Sequence, residues 1–350
     1  MTSQFGKPST GLLNIKKSFF EENDSHLETQ RKIASIYKEQ PRRTYCKNCG
    51  FRILGGVYDF IKDGIEYVLC ERCNHLNGMY EDTNEFCDAV YTDDSGSDYA
   101  KNYTESDLDD YNYRTACVYS PKAEFLYTSL VGNGIDPHAL SYLDFGAGSG
   151  YFVSALKKIG LKNIIGTEVS EAQVNYGNDM HMIGDILLKK HNTRDTDLIL
   201  GEINCDLVSM IGVLEHLQSP RTALACLQRN KNIKYLYISI PTFSLSVYLE
   251  IFAKDIFNRQ LHGGHTHLYT QESIEYFCKE FGFETISEWW FGTDIVDLYR
   301  CLSIELEKQN CSLSLIENWK KDFIPIIDAM QLELDKKKYS SEVHLLLKKV

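Results

Sequence analysis

Three groups of residues in this chain of 350 have the types and spacing to do chemistry. The first runs from Ser141 through Asp144 and Phe145 into Gly146-Ala147-Gly148-Ser149-Gly150. It reads as a buried strand stopping at an acid, a glycine-rich turn, and a helix starting near Tyr151. Glycines at 146, 148 and 150 keep side chains out of the turn, so a ligand can lie against the backbone. A second acid, Glu168, ends the next apolar strand, 22 residues after Gly146. That spacing suits a carboxylate whose two oxygens accept hydrogen bonds from both hydroxyls of a ribose. The pattern is that of a nucleoside-binding site. A dinucleotide site wants G-x-G-x-x-G, with the third glycine where this chain has Tyr151; here the spacing is the tighter G-x-G-x-G.

The second group is Cys46-x-x-Cys49 and Cys70-x-x-Cys73, separated by 20 residues. Each pair can point two thiolates at one ion. Four thiolates favour a closed tetrahedral zinc site, structural because no position is left for water. The stretch from Phe51 to Leu69 reads as two short strands that bring the pairs together. His75 reads as a neighbour of the site. The third group is Glu215-His216, just past an apolar strand, together with His262-Gly263-Gly264-His265-Thr266-His267. A histidine at 216 could deprotonate a hydroxyl near neutral pH. The second cluster reads as substrate contact or lid closure, since three histidines in one short loop need more chain reversal than this spacing gives for a metal. Of these, His265 and His267 are the stronger candidates, with His262 a further substrate contact.

The glycine turn with Asp144 just ahead of it resembles motif I of the class I S-adenosylmethionine-dependent methyltransferases. Later segments carry the same resemblance in order: Asp206 to Leu217 as that family's fourth strand and following turn, Tyr235 to Pro241 as its fifth, and His267 to Ile274 with Phe281-Gly282-Phe283-Glu284 as the helix and strand after it. The resemblance spans about residues 120–296. It implies an α/β Rossmann-like seven-stranded methyltransferase sheet, here with an N-terminal zinc ribbon and a helical insertion before the last strand. It also implies S-adenosylmethionine as cofactor, held by Asp144, Gly146, Ala147, Gly148, Gly150, Glu168, Val169, Gly212 and Val213. The adenine would lie near the third strand, with Asp195 and Asp197 as candidate partners. Catalytic candidates are His216, Glu215, His265 and His267. The second expected cofactor is a structural zinc ion on Cys46, Cys49, Cys70 and Cys73.

A cysteine-rich module ahead of such a core resembles bacterial enzymes that methylate sugars on nucleotide carriers, and relatives in surface-polysaccharide and antibiotic-sugar pathways. In that group a zinc lobe, tyrosines and an acid–histidine pair frame the acceptor; Tyr103, Tyr111, Tyr113 and Glu215-His216 could supply these parts here. The expected reaction is methyl transfer to a hydroxyl of a sugar or sugar-containing metabolite. Alternatives are carbon methylation of a nucleotide-linked keto sugar, rRNA base methylation, and a zinc-dependent scaffold with a degenerate fold. A formal net charge of −12 argues against a nucleic-acid partner.

The elements that must position these residues divide the chain into a helical arm (1–43), the zinc ribbon (44–90), a tyrosine-rich connector or lid and helix (91–140), the methyltransferase core (141–296), a helical insertion (297–340) and a last core strand (341–350). Pro121 starts a helix. The third strand is expected at Asp185 to Leu188 or Asp197 to Leu200, and residues 242–270 as an insertion. The tail Val343-His344-Leu345-Leu346-Leu347 reads as an antiparallel closing strand, against a terminal helix used for dimer packing; a homodimer is one option for the protein. Hydrophobic content of 43%, seven scattered cysteines and a polar start, Met1 to Gly11, fit a cytoplasmic protein without a membrane span.

Overall fold

Apolar residues alternate along the strands so that both faces of a central sheet are buried. The computed structural model describes residues 1–9, 13, 18–91, 107–181, 188–257, 259–261 and 264–350. In chain order its strands are β1 (Thr2–Phe5), β2 (Phe60–Lys62), β3 (Ile65–Leu69), β4 (Leu76–Gly78), β5 (Tyr142–Phe145), β6 (Ile164–Glu168), β7 (Leu188–Lys190), β8 (Leu207–Ile211), β9 (Tyr235–Pro241), β10 (His267–Leu268), β11 (Phe283–Phe291) and β12 (Glu342–Lys349).

The large sheet has eight strands in the order β1-β11-β12-β9-β8-β5-β6-β7. Strands β7, β6, β5, β8 and β9 are mutually parallel, and β12 enters antiparallel between β9 and β11. Leu143 and Phe145 point to one face with Met210, Ile238, Leu345 and Leu347, packing on helices Pro220–Arg229 and Gln271–Phe281. Tyr142, Tyr237, Trp289 and Leu346 point to the other, packing on helices Ser120–Gly132 and Tyr151–Lys158. A sheet covered on both faces explains why these strands read as nearly continuous apolar runs.

The Rossmann-like α/β sheet, the helices before its last strand and the strand character of the tail agree with the sequence reading. β12, with Val343 to Leu347 buried between two neighbours, leaves no room for the terminal-helix alternative. Two expectations need correction. The sheet has an eighth strand because Thr2–Phe5 pairs in parallel with β11 at the edge, so the segment expected to be a helical arm begins as a strand; its helix is Asn23–Lys38. The third sheet strand is β7, while Asp197 to Leu200 lie in the helix Thr196–Glu202; of the other expected segment, Asp185 to Leu188, residues 185–187 are outside the described residues. The insertion at residues 242–270 contains the helix Leu245–Phe252 and β10.

β10 departs from the core to complete a second sheet, β10-β4-β3-β2, antiparallel throughout. Its hairpin β2–β3 turns at Asp63-Gly64, both at positive φ (52° and 76°), as a two-residue turn matched to strand twist demands. Helix Asn23–Lys38, this sheet, helix Asn84–Tyr91 and helix Leu245–Phe252 share one apolar core through Tyr37, Tyr67, Leu76, Phe86, Val247 and Leu268. The cysteine-bearing lobe and the insertion between β9 and β11 are therefore packed as one body. Gly78 is where they approach most closely: its N–H donates to the Thr266 carbonyl at 2.8 Å, and a Cβ there would lie 2.7 Å from that oxygen.

Gly78→Ala is expected to push β10 off β4 and cost about 1–3 kcal/mol of stability, the usual scale for overpacking a closed contact. Denaturant unfolding would measure it; an unchanged midpoint would show that the two segments are not held this tightly.

Candidate active site

The glycine turn between β5 and the helix Tyr151–Lys158 is forced by backbone geometry. Gly146, Gly148 and Gly150 all have positive φ, 74°, 55° and 74°, and a Cβ on Gly146 would lie 2.6 Å from the Val213 side chain. Gly146 is thus the contact between this turn and the one after β8, where Gly212 also takes positive φ (67°). Glu168, at the end of β6, accepts from the Gly148 N–H at 2.8 Å with one oxygen and from the Val169 and Ser170 N–H groups, at 2.8 and 3.0 Å, with the other. The carboxylate therefore braces the glycine turn while lining the cleft beside it. Asp144 is buried, accepts from the Ser209 hydroxyl at 2.7 Å, and has its carboxyl pushed up to about 7 by burial, with Glu168 adding to the effect.

These groups line a cleft of about 560 Å³. Asp144, Gly146, Ala147, Gly148, Glu168, Val169, Gly212 and Val213 all border it. Gly150 instead heads the helix from a left-handed N-cap position. Beyond Glu168, the cleft is walled by His191, Thr193, Arg194 and Asp197. Of the two acids proposed for an adenine, Asp197 faces the cleft; Asp195 does not border it and accepts from the Asn192 amide at 3.3 Å.

At the other end the cleft reaches Glu215, His216 and His265. Glu215 and His216 sit in a single turn, Leu214–His216, that follows β8. His265 arrives from a segment 49 residues later, just ahead of β10, and its ring lies 4.9 Å from that of His216. His216 Nδ1 faces the Gly264 carbonyl at 3.3 Å, and His265 Nδ1 faces the Gln260 carbonyl at 2.8 Å. Burial pushes the Glu215 carboxyl up to about 8 and the His216 imidazole down to about 4. An imidazole held this low is neutral at pH 7.

His267 does not join this group. It is fully buried within the lobe, where its Nδ1 lies 2.8 Å from His75 Nε2, and it does not border the cleft. Tyr111 is likewise misassigned as a substrate contact: it is buried behind the glycine turn, stacks on Tyr151 with ring centroids 4.4 Å apart, and donates its hydroxyl to the Ser149 carbonyl at 2.9 Å. Tyr113 is exposed and away from the cleft. Tyr103 and His262 lie outside the described residues.

Sequence reading missed four polar residues that line the cleft: Lys122, Arg259, Gln260 and Glu342. Lys122 donates to Glu342 at 3.0 Å, and Glu342 also accepts from Ser239 at 2.9 Å. No local motif marks them, since they come from a helix, a loop and the last strand and meet only in the fold.

The four cysteines form a separate centre. Cys46 and Cys73 Sγ are 3.7 Å apart, Cys49 and Cys70 Sγ 3.5 Å, and all four lie within 4.8 Å of one another. A tetrahedron with metal–sulfur bonds of ~2.3 Å has edges of about 3.8 Å, so the cradle fits a zinc ion. Two matching turns build it. The Gly50 N–H donates to the Cys46 carbonyl and the Asn74 N–H to the Cys70 carbonyl; the Cys46 N–H donates to Phe51 and the Cys70 N–H to His75. Gly50 and Asn74 both adopt positive φ. Asn77 and Asn48 side-chain amides approach Cys46 and Cys73 sulfurs at 3.5 and 3.6 Å, as donors to thiolates would. The centre is tied to the core by Arg221, which donates to the Asn48 carbonyl at 2.7 Å and pairs with Glu280, and by Asn48, which donates to the Ser273 carbonyl at 2.9 Å.

A family model described as "Methyltransferase domain" matches residues 113–288, just over half of the chain. No curated protein matches. Among solved structures, the fold is similar to a SAM-dependent methyltransferase from Archaeoglobus fulgidus (18% identity, TM-score 0.39, covering 65% of this chain and 94% of that one). It is also similar to magnesium protoporphyrin IX methyltransferase from Synechocystis PCC 6803 (14% identity, TM-score 0.44, covering 74% and 96%). The glycine turn, the cleft at the ends of the parallel strands and the matched domain lead to one assignment: this chain belongs to the methyltransferase domain family and is an S-adenosylmethionine-dependent methyltransferase.

Proposed function

We propose that the enzyme transfers the methyl group of S-adenosylmethionine to a hydroxyl of a small polar acceptor, a sugar or sugar-containing metabolite, as in surface-carbohydrate or secondary-metabolite biosynthesis. The observation that carries this reading is the single cleft running from the glycine turn to Glu215, His216 and His265. Its lining mixes hydrogen-bonding groups, Lys122, Arg259 and Gln260 among them, with apolar ones such as Phe152, Leu217 and Pro241. The polar groups supply partners for an acceptor rich in hydroxyls.

In this reading the methionine part of the cofactor lies along residues 146–150, with Asp144 ordering the loop, and Glu168 holds the ribose. The cofactor supplies an electrophilic methyl on a positively charged sulfur. The protein's work is to bind it, exclude water and hold the acceptor oxygen in line with the carbon–sulfur bond. Glu215, His216 and His265 bind that oxygen. Cys46, Cys49, Cys70 and Cys73 hold a structural zinc that fixes the lobe, and through β10 the lobe fixes His265. No helix among the described residues is long and apolar enough to cross a membrane.

Glu168→Ala is expected to weaken S-adenosylmethionine binding by about 1–3 kcal/mol, the scale of lost charge-assisted hydrogen bonds. Calorimetry gives the value directly, and unaltered affinity would remove Glu168 from the ribose. Incubating purified enzyme with isotopically labelled cofactor and a cell extract, then tracing the label by mass spectrometry, tests the acceptor class; label in RNA or protein alone would overturn it.

Cys70→Ser should lower zinc content and thermal stability together while the isolated glycine turn keeps its affinity for the cofactor. Zinc-free protein of normal stability would refute the structural role.

Asp144 gives a pH dependence. Its folded carboxyl titrates near 7 and an unfolded one near ~3.9. Between those values the folded state holds the extra proton, so this residue's contribution to stability falls as pH rises from about 4 to 7 and stays low above that. Asp144→Asn keeps an acceptor for Ser209 without the charge. Its melting temperature relative to wild type, without cofactor, should therefore be higher at pH 8 than at pH 5; a difference independent of pH would contradict the shift.

A further inference from the structure

Glu215, His216 and His265 each offer one ligand atom, and these atoms lie within 4.8 Å of one another at the wall of the cleft. Glu215 Oε1 is 4.0 Å from His216 Nε2. Three features make this more than a crowd of polar side chains. Both histidines have Nδ1 at a backbone carbonyl, Gly264 for one and Gln260 for the other, so each Nδ1 must carry the proton and each Nε2 its lone pair. Holding the distal N–H on a carbonyl is the way proteins orient imidazoles that ligate a metal. The second oxygen of Glu215 is buried and has no hydrogen-bond partner, a state a carboxylate tolerates poorly without a cation. Finally, the three side chains come from two segments locked together by separate elements, the turn after β8 and the approach to β10.

The nearby His75–His267 pair shows the contrast. There the two rings spend nitrogens on each other at 2.8 Å, and the pair is shut inside the lobe.

We propose that Glu215, His216 and His265 bind a divalent first-row transition-metal ion that in turn binds the acceptor through two adjacent oxygens. Two imidazole nitrogens and one carboxylate suit manganese, iron, cobalt, nickel or zinc better than magnesium or calcium, which prefer oxygen alone. Three protein ligands on one side leave positions open toward the cleft. A vicinal diol fills two of them and forms a five-membered chelate. The acceptor chemistry rests on the methyl-transfer reading above; the ion site itself does not. The bound hydroxyl loses its proton to solvent and becomes a metal-held alkoxide. That oxygen then attacks the cofactor methyl: the new carbon–oxygen bond forms as the carbon–sulfur bond breaks, and sulfur keeps the electron pair as a neutral thioether. The ion is neither oxidised nor reduced.

The test uses the full chain with its zinc in place and Mn2+ as the probe, because manganese competes poorly for four thiolates. Electron paramagnetic resonance follows the loss of the free Mn2+ signal, and cofactor binding is measured by calorimetry in the same samples. One Mn2+ per chain is expected. Its affinity should fall by at least about tenfold in Glu215→Gln and in His265→Asn, each checked for a wild-type melting profile and retained cofactor binding. A third variant, His216→Asn, guards against one of them failing to fold. No Mn2+ bound to wild type at millimolar concentration, or binding that is unaltered in the folded variants, would overturn the ion site. Cofactor binding without Mn2+ binding would sink this inference and leave the methyltransferase reading standing. Mn2+ binding without cofactor binding would do the reverse.

Discussion

The pairing of β10 with β4 is the constraint on which the Glu215–His216–His265 end of the cleft depends. Two residues, His267 and Leu268, leave the methyltransferase core and add a strand to the sheet of the cysteine lobe, opposite Asn77 and Leu76. The chain then returns at once: Tyr269 bridges to Thr242, and the Thr270 and Ser273 side chains cap the helix Gln271–Phe281 reciprocally. His265 sits immediately before this excursion, so its position is inherited from the lobe. The glycine turn and Glu168 owe nothing to it. They are set by β5, β6 and the close contact of Gly146 with Val213. The two ends of one cleft are thus held by different parts of the molecule, and disturbance of the lobe should reach the histidine end first.

The cysteine centre sits where it can transmit that dependence. Asn77 pairs with His267 through the backbone of β4 and points its side chain at the Cys46 sulfur. Asn48, beside the Cys73 sulfur, reaches Ser273 in the capping box of the helix after β10. Each asparagine therefore links a thiolate to the segment carrying the histidine. Around them, Arg43, Lys47 and Asp82 form a buried ion cluster between the lobe's strands and helix Asn84–Tyr91. Burying three charges is costly unless they are mutually paired. Here two cations share one carboxylate, and Arg43 also reaches Glu81. The lobe interior is therefore specified by directional contacts as much as by apolar area.

Much of the cofactor half was legible because its information is local. A glycine turn, an acid at the end of one strand and another at the end of the next all lie within 25 residues, and each follows from backbone geometry. The cysteine pairs were legible for the same reason. The first strand was not: Thr2–Phe5 is short and polar, it lies at a sheet edge, and its partner is about 280 residues away. The third strand was obscured by its length of three residues and by the helix of Asp197 to Leu200, whose apolar run imitates a strand.

The histidine end of the cleft failed to be legible at specific points, each for a physical reason. Histidines 265 and 267, two apart, look equivalent in sequence. The chain enters β10 between them, so one is left at the cleft and the other is drawn into the lobe to meet His75. Tyr111 carries the aromatic face and hydroxyl of a substrate contact, yet both are consumed by Tyr151 and the Ser149 carbonyl, which makes it a brace for the glycine turn. Glu215, His216 and His265 were each visible as candidates, but not that the three meet. His265 is 49 residues beyond His216, and only the strand exchange between core and lobe brings it within reach. A motif can be read where the backbone alone determines geometry; a constellation closed by long-range pairing becomes visible only once the pairing is known.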